Sequence, residues 1–170
     1  MAWNTPRTWA AGEDPAASVY NTHIRDNFNA IGAAWTSYTP TWAAATTNPT
    51  LGNGTKSGAY IQAGKLVIFR IVIVGGSTTT WGSGVYTFSY PVAPLDNSTN
   101  GNPGINAFYW DAGVSDTKPF AGMGVGQSST SFRVVMTSND SYMSAVIPVV
   151  GTNARGAGDK INIAGTYEAA

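Results

Sequence analysis

The sequence contains no cysteine, which excludes a disulfide framework, a thiol nucleophile and any cysteine-based zinc site. Charge is nearly as scarce. Nine basic and nine acidic residues make up 11% of the chain and cancel, leaving no electrostatic footprint for nucleic acid or for an anionic membrane. There is a single histidine, His23. Long apolar runs are missing as well: the longest, Leu66 to Phe69 and Ile71 to Val74, is interrupted by Arg70 and falls far short of a membrane span. The opening Met-Ala-Trp-Asn-Thr-Pro-Arg holds no apolar core of the kind a secretory signal needs, so a soluble protein made without such export is expected. What the chain does have is 170 residues, enough for one main domain. Its polar surface must be built mostly from Ser, Thr and Asn, which can bind sugars or simply stay wet.

The pattern changes near residue 35. Residues 1–35 read as an N-terminal anchoring segment and 36–170 as a β-rich body. Asp14 as cap, Pro15 in the first turn and a left-handed Gly32 predict one helix over 14–31. Within it Tyr20, Ile24, Phe28 and Ile31 recur at steps of four, four and three, a narrow apolar stripe on a polar cylinder. Such a stripe buries little in a single copy and suits a partner or a bundle of its own copies. Ahead of the helix, Trp3, Pro6 and Trp9 lie in a segment without periodicity. Two large aromatics there either fold back on the domain or form a peg that docks into another protein.

After Trp35 the period becomes that of strands. Ser37–Ala43, with Pro40 inside it, predicts an edge strand. Gly58–Gln62 and Lys65–Val74 predict a hairpin turned at Ala63-Gly64. The second of these strands is apolar on both faces, Val67, Phe69, Ile71 and Ile73 on one, Leu66, Ile68, Val72 and Val74 on the other, so both faces should be covered. Arg70, alone among the latter, should be paired or should face a wet channel. Further strands are expected at Gly84–Tyr90, Ile105–Trp110, Ser131–Thr137, Tyr142–Val150 and Lys160–Tyr167, with glycine- and asparagine-rich tips at Asp96–Gly104 and Gly151–Asp159. Short strands at this spacing, with no second helical pattern, predict a mainly β protein: an antiparallel β-sandwich, jelly-roll-like, preceded by one N-terminal α-helix.

Chemistry is hard to find. His23 with Asp26 three residues on is ordinarily a solvated helical pair, and no nucleophile-elbow sequence accompanies it. The scattered aspartates have no calcium-loop spacing. Glycoside cleavage would need two carboxyls about 5–10 Å apart, which only aspartates on neighbouring loops could supply. Gly122-Met-Gly-Val-Gly126 lacks the lysine and helix onset of a phosphate loop and reads as a strand or a flexible loop. Trp81, Tyr109, Trp110 and Asp111 are candidates for a glycan platform, ring against sugar face with an acid beside it; core packing is the competing reading. No catalytic residue, metal or cofactor is expected.

The segments Trp3-Asn-Thr-Pro-Arg-Thr-Trp9, Gly12-Glu13 and Asn21-Thr-His-Ile-Arg-Asp-Asn-Phe-Asn-Ala-Ile31 resemble the N-terminal region shared by many minor structural proteins of tailed bacteriophages. Tyr38-Thr-Pro-Thr-Trp42, Leu51-Gly-Asn-Gly-Thr55 and Gly58-Ala-Tyr-Ile-Gln-Ala-Gly-Lys-Leu-Val67 resemble the attached β-rich body, most familiar from phages of actinobacteria. The resemblance covers residues 1 to 90. Proteins of that kind are tail fibre, head fibre, minor tail or capsid-decoration components. It implies a homotrimer at the virion surface, its N-terminal region joined to other capsid or tail proteins and its β-domain outward. This chain lacks a collagen-like or coiled-coil shaft, which favours a compact knob or spike. The expectation is therefore a non-enzymatic virion protein that docks through Trp3, Pro6 and Trp9. Copies would meet through Tyr20, Ile24, Phe28, Ile31 and Arg70. Adhesion to a host-surface glycan is the alternative, and a depolymerase a further one.

Overall fold

The computed structural model describes residues 3–95, 104–113, 120–136, 141–142 and 155–170. The N-terminal helix is built from α1 (Ala17–Tyr20), a π-helical stretch (Asn21–Arg25) and α2 (Asp26–Ile31). It starts later than the sequence predicts because Ala16, just after Pro15, is still extended (φ −59°, ψ 149°), and Asp14 makes no cap. It also ends differently. Gly32 keeps a helical hydrogen bond to the Phe28 carbonyl (3.0 Å) at φ −89°, so the left-handed stop expected there does not form. The widened turn in the middle coincides with Thr22, whose hydroxyl donates to the Ser18 carbonyl (3.0 Å) and competes with the main chain for it.

Among the described residues ten strands follow: β1 (Thr36–Tyr38), β2 (Trp42–Ala44), β3 (Thr55–Ala63), β4 (Leu66–Val74), β5 (Tyr86–Ser89), β6 (Gly104–Trp110), β7 (Phe120–Ser128), β8 (Ser131–Met136), β9 (Ser141–Tyr142) and β10 (Lys160–Glu168). All pair antiparallel in one sheet, in the order β1-β3-β4-β10-β6-β7-β8-β5-β2, with β9 also on β8. The protein is thus mainly β with one N-terminal helix, its sheet curled into a half-barrel. Curling follows from connectivity. The end strands β1 and β2 are separated by only Thr39-Pro40-Thr41, a reach of at most about 14 Å, whereas nine strands laid flat would span roughly 38 Å. The predicted edge strand over Ser37–Ala43 is therefore two strands at opposite ends of the sheet, parted at Pro40.

The hairpin is β3 and β4, with Ala63 opposite Leu66. Its turn is Gly64-Lys65, one residue later than predicted, and Gly64 supplies the positive φ of 59° that the turn requires. The glycine run Gly122–Gly126 is strand β7. A Cβ on Gly124 would sit 2.4 Å from Ile105, and one on Gly165 would sit 2.8 Å from it. Ile105 thus beds between two glycines on the flanking strands, and the run is a packing device. Inside the curl lie Val67, Phe69, Ile71 and Ile73 of β4 with Ile161, Ile163, Phe88 and Val134, all nearly inaccessible. One end of this core is a ring cluster: Phe132 meets Tyr90 (centroids 4.9 Å), Phe69 (5.7 Å) and Phe88 (5.7 Å). Most of the strand expected over Tyr142–Val150, most of the expected tip Asp96–Gly104 and residues 151–154 of the second tip lie outside the described residues.

Candidate interaction surface

The residues ahead of the helix form an extended arm that doubles back along it. Asn27 makes this possible: its side-chain oxygen accepts the Asn4 N–H (2.8 Å), and its side-chain nitrogen donates to the carbonyls of Asn4 (2.9 Å) and His23 (3.1 Å). One buried amide thereby pairs with the arm as a neighbouring strand would. His23 adds a contact from Nδ1 to the Thr5 carbonyl (2.9 Å), which requires a proton on that nitrogen. Further along, Trp9 stacks on Tyr20 (5.3 Å), Arg7 lies over the Trp9 ring (4.9 Å) and pairs with Glu13. Trp3 reaches the hairpin, lying over Gly64. Removing the clamp with Asn27→Ala is expected to cost about 1–3 kcal/mol locally and to loosen the arm. Faster hydrogen exchange at the Asn4 amide and faster tryptic cleavage after Arg7 would report it; unchanged rates would refute the clamp.

The clamp fixes which side of the helix is hidden. Asn27 and Ala30 are buried, while the apolar stripe points away: Phe28 is 69% exposed and Ile31 58%, with Tyr20 and Ile24 also exposed. The arm's Trp3, Pro6 and Trp9 are exposed beside them. Between arm and helix runs an apolar groove of about 200 Å³ walled by Trp3, Pro6, Ile24 and Phe28. All three residues predicted to dock and all four of the predicted helical stripe therefore share one uncovered layer.

A second apolar surface lies on the outward face of the sheet. The strand register puts Ile68 of β4, Phe108 and Trp110 of β6 and Met123 of β7 on that face together with Leu66. All five are exposed, Met123 to 54%. The strand that is apolar on both faces thus seals one face in its own core and leaves the other open where Leu66 and Ile68 stand. Arg70, in the middle of that face, is exposed and stacks on Trp35 (5.1 Å), so the costly case of a lone buried guanidinium does not arise.

The predicted glycan residues separate. Trp81, Tyr109 and Asp111 are buried and converge at one end of the curl, whereas Trp110 faces outward. At that end Arg155 lies over three rings, those of Trp81 (5.2 Å), Tyr86 (5.1 Å) and Tyr109 (4.9 Å), and donates to the Tyr86 hydroxyl (3.2 Å). Asp159, fully buried, accepts the Tyr109 O–H (2.6 Å) and the N–H groups of Gly156 (2.8 Å) and Ala112 (2.9 Å). Burial drives Arg155 below the usual guanidinium range; the facing Tyr86, Tyr109, Asp159 and Asp111 oppose that by favouring its charge. With its oxygens committed to Tyr109 and the main chain, Asp159 ties strand ends together. Of the four glycan candidates only Trp110 presents an open ring. Neither Arg155 nor the strand-mimicking role of Asn27 is visible in the sequence pattern, since one sits in a loop and the other resembles any polar helical residue.

Burial pushes the hydroxyl of Tyr86 up to about 12, against the lowering effect of Arg155, and that of Tyr167 up to about 12; Tyr38 and Tyr109 are raised further for the same first reason. The folded state therefore holds these protons after the unfolded chain has lost them above pH 10. Stability is full below pH 10 and declines between pH 10 and 12, by up to about 1.4 kcal/mol per pH unit for each such tyrosine. In an alkaline titration the phenolate absorbance of these four should rise together with unfolding; ionisation with the fold intact would contradict it.

No group of three or more His, Asp or Glu side chains able to hold a metal occurs among the described residues, nor does a helix long and apolar enough to cross a membrane. No protein-family model, curated protein or solved structure matches the chain.

Proposed function

We propose that this protein is a non-enzymatic structural component of a phage virion: a trimeric surface knob held to the capsid or tail by its N-terminal layer. Trp3, Pro6 and Trp9 are the docking residues for another particle protein. Tyr20, Ile24, Phe28 and Ile31 join copies of the chain, with Arg70 on the neighbouring outward face. The curled sheet, a jelly-roll-like body in this reading, is the part that faces outward. The single observation that carries the proposal is the N-terminal layer itself. A 170-residue chain clamps its arm with buried hydrogen bonds, yet leaves four aromatics and two isoleucines of that layer exposed. Solvent alone gives no reason to build so rigid an apolar surface.

The test is particle incorporation. Purified virions carrying Trp3→Ala with Trp9→Ala should lose this protein, measured by quantitative mass spectrometry against the major shell protein, while the variant remains folded in the lysate. Undiminished copy number would overturn the docking assignment. A receptor-binding role draws on one observation, the open Trp110 ring beside Phe108 on the outward face. Trp110→Ala would then abolish binding to host-surface glycan without changing copy number.

A further inference from the structure

The two loops at the open end of the β3–β4 hairpin are tied to each other around one asparagine. Asn53 stands in the turn that leads into β3, and Gly76–Thr80 follow β4. The Asn53 side-chain oxygen accepts both the main-chain N–H of Thr78 (3.0 Å) and its hydroxyl (3.0 Å), and the side-chain nitrogen donates to the Ser77 hydroxyl oxygen (3.0 Å). The same Thr78 hydroxyl oxygen accepts the Asn53 N–H (2.9 Å). A Cβ on Gly76 would sit 2.1 Å from the Asn53 side-chain oxygen, so the amide fills the space that this glycine leaves.

Asn53 is followed by Gly54, and that dipeptide carries a chemistry of its own. With no side chain on the glycine to obstruct it, the glycine's main-chain nitrogen can attack the asparagine Cγ. An N–Cγ bond forms, the bond from Cγ to the side-chain nitrogen breaks, and that nitrogen leaves as ammonia with the proton from the glycine N–H. Water then opens the resulting five-membered imide to aspartate or isoaspartate. Asn53 is exposed, so burial gives it no protection. Its hydrogen bonds do. The attacking N–H of Gly54 is held by the Leu51 carbonyl (2.9 Å), which the Thr79 hydroxyl also fixes in place (2.6 Å), and expelling ammonia breaks the bond to Ser77.

We propose that Asn53-Gly54 is a guarded modification site: the fold holds the asparagine in its amide form, and conversion to aspartate or isoaspartate occurs only in copies whose two loops have parted. The isoaspartyl product makes the parting permanent. Its main chain is one methylene longer, in a turn packed so closely that a Cβ on Gly52 would sit 2.4 Å from the Thr78 carbonyl oxygen. Asn53 thereby records whether a copy has opened at this end of the sheet, however copies assemble.

The full-length protein is incubated at neutral pH and body temperature, either folded or in guanidinium chloride. The tryptic peptide Asp26–Lys56, which is separate from the chain's other Asn-Gly step at Asn100-Gly101, is followed by tandem mass spectrometry for a gain of one mass unit at Asn53. The denatured protein should convert over a period in which the folded protein does not. Thr78→Val keeps the main-chain N–H but removes the hydroxyl that holds Asn53 at two atoms. It should convert at least about tenfold faster than the unmodified folded protein, a factor equivalent to ~1.4 kcal/mol, or about one lost hydrogen bond. Circular dichroism and an unchanged denaturation midpoint show that the acceleration does not come from global unfolding. Should Thr78→Val unfold or lower that midpoint, Ser77→Ala makes the same comparison. Equal rates in the folded and denatured unmodified protein would overturn the guard, and so would a folded variant that converts no faster than the unmodified protein.

Discussion

Phe69→Ala is expected to lower the free energy of unfolding by about 3–5 kcal/mol, whereas Ile68→Ala, one residue away, should cost less than about 1 kcal/mol in dilute protein whose copies are apart. The difference lies in which side of β4 each occupies. Phe69 is 1% exposed and touches the rings of Tyr90, Phe132 and Tyr167, so its removal leaves a cavity that surrounding strands cannot fill. Ile68 stands on the outward face, where the lost methylenes were already partly wet. Since a domain of this size is stabilised by only about 5–15 kcal/mol, the first substitution removes a large share and should move the urea midpoint far down. Equal shifts for the two variants would mean that the outward face is covered within one chain, contrary to its exposure.

The second large effect is on assembly. Glutamate at both Phe28 and Ile31 places two carboxylates in the middle of the helix stripe, which the proposed contact removes from water. Truncating a central apolar anchor costs about 2–4 kcal/mol of association, and a desolvated charge costs more. The pair should therefore weaken self-association by at least about a thousandfold. Light scattering should find one chain mass, 17.7 kDa, with the far-ultraviolet spectrum unchanged because neither residue supports the monomer fold. A variant that keeps the mass of the unmodified protein would remove the stripe from the interface.

The β class and the single helix are legible because their periods are strong: alternation in the hairpin, and four-four-three steps from Tyr20 to Ile31. Positions set by distant partners are less so. Nothing local tells that Pro40 parts two strands lying at opposite ends of the sheet, since that follows from the order in which later strands pair. The Gly122–Gly126 run reads equally as loop or strand until Ile105 is seen to occupy the space the glycines leave. Gly32 carries the composition of a left-handed stop, yet the chain leaves the helix without one. The docking and stripe residues were visible as apolar side chains without a core to enter. Their shared orientation depends on Asn27, whose pairing with the arm spans 23 residues. In the sequence, core packing competes with the glycan reading for Trp81 and Tyr109, and both are buried, Tyr109 on the inner side of β6 and Trp81 against Trp42; Arg155, which also lies over them, comes from a loop far along the chain and no local pattern announces it.

The proposed function rests on one claim: the apolar stripe of Tyr20, Ile24, Phe28 and Ile31 is hidden from water by other copies of the chain. Sedimentation equilibrium of the unmodified protein across micromolar concentrations tests that directly. The account predicts three times 17.7 kDa; a single-chain mass throughout that range would contradict it.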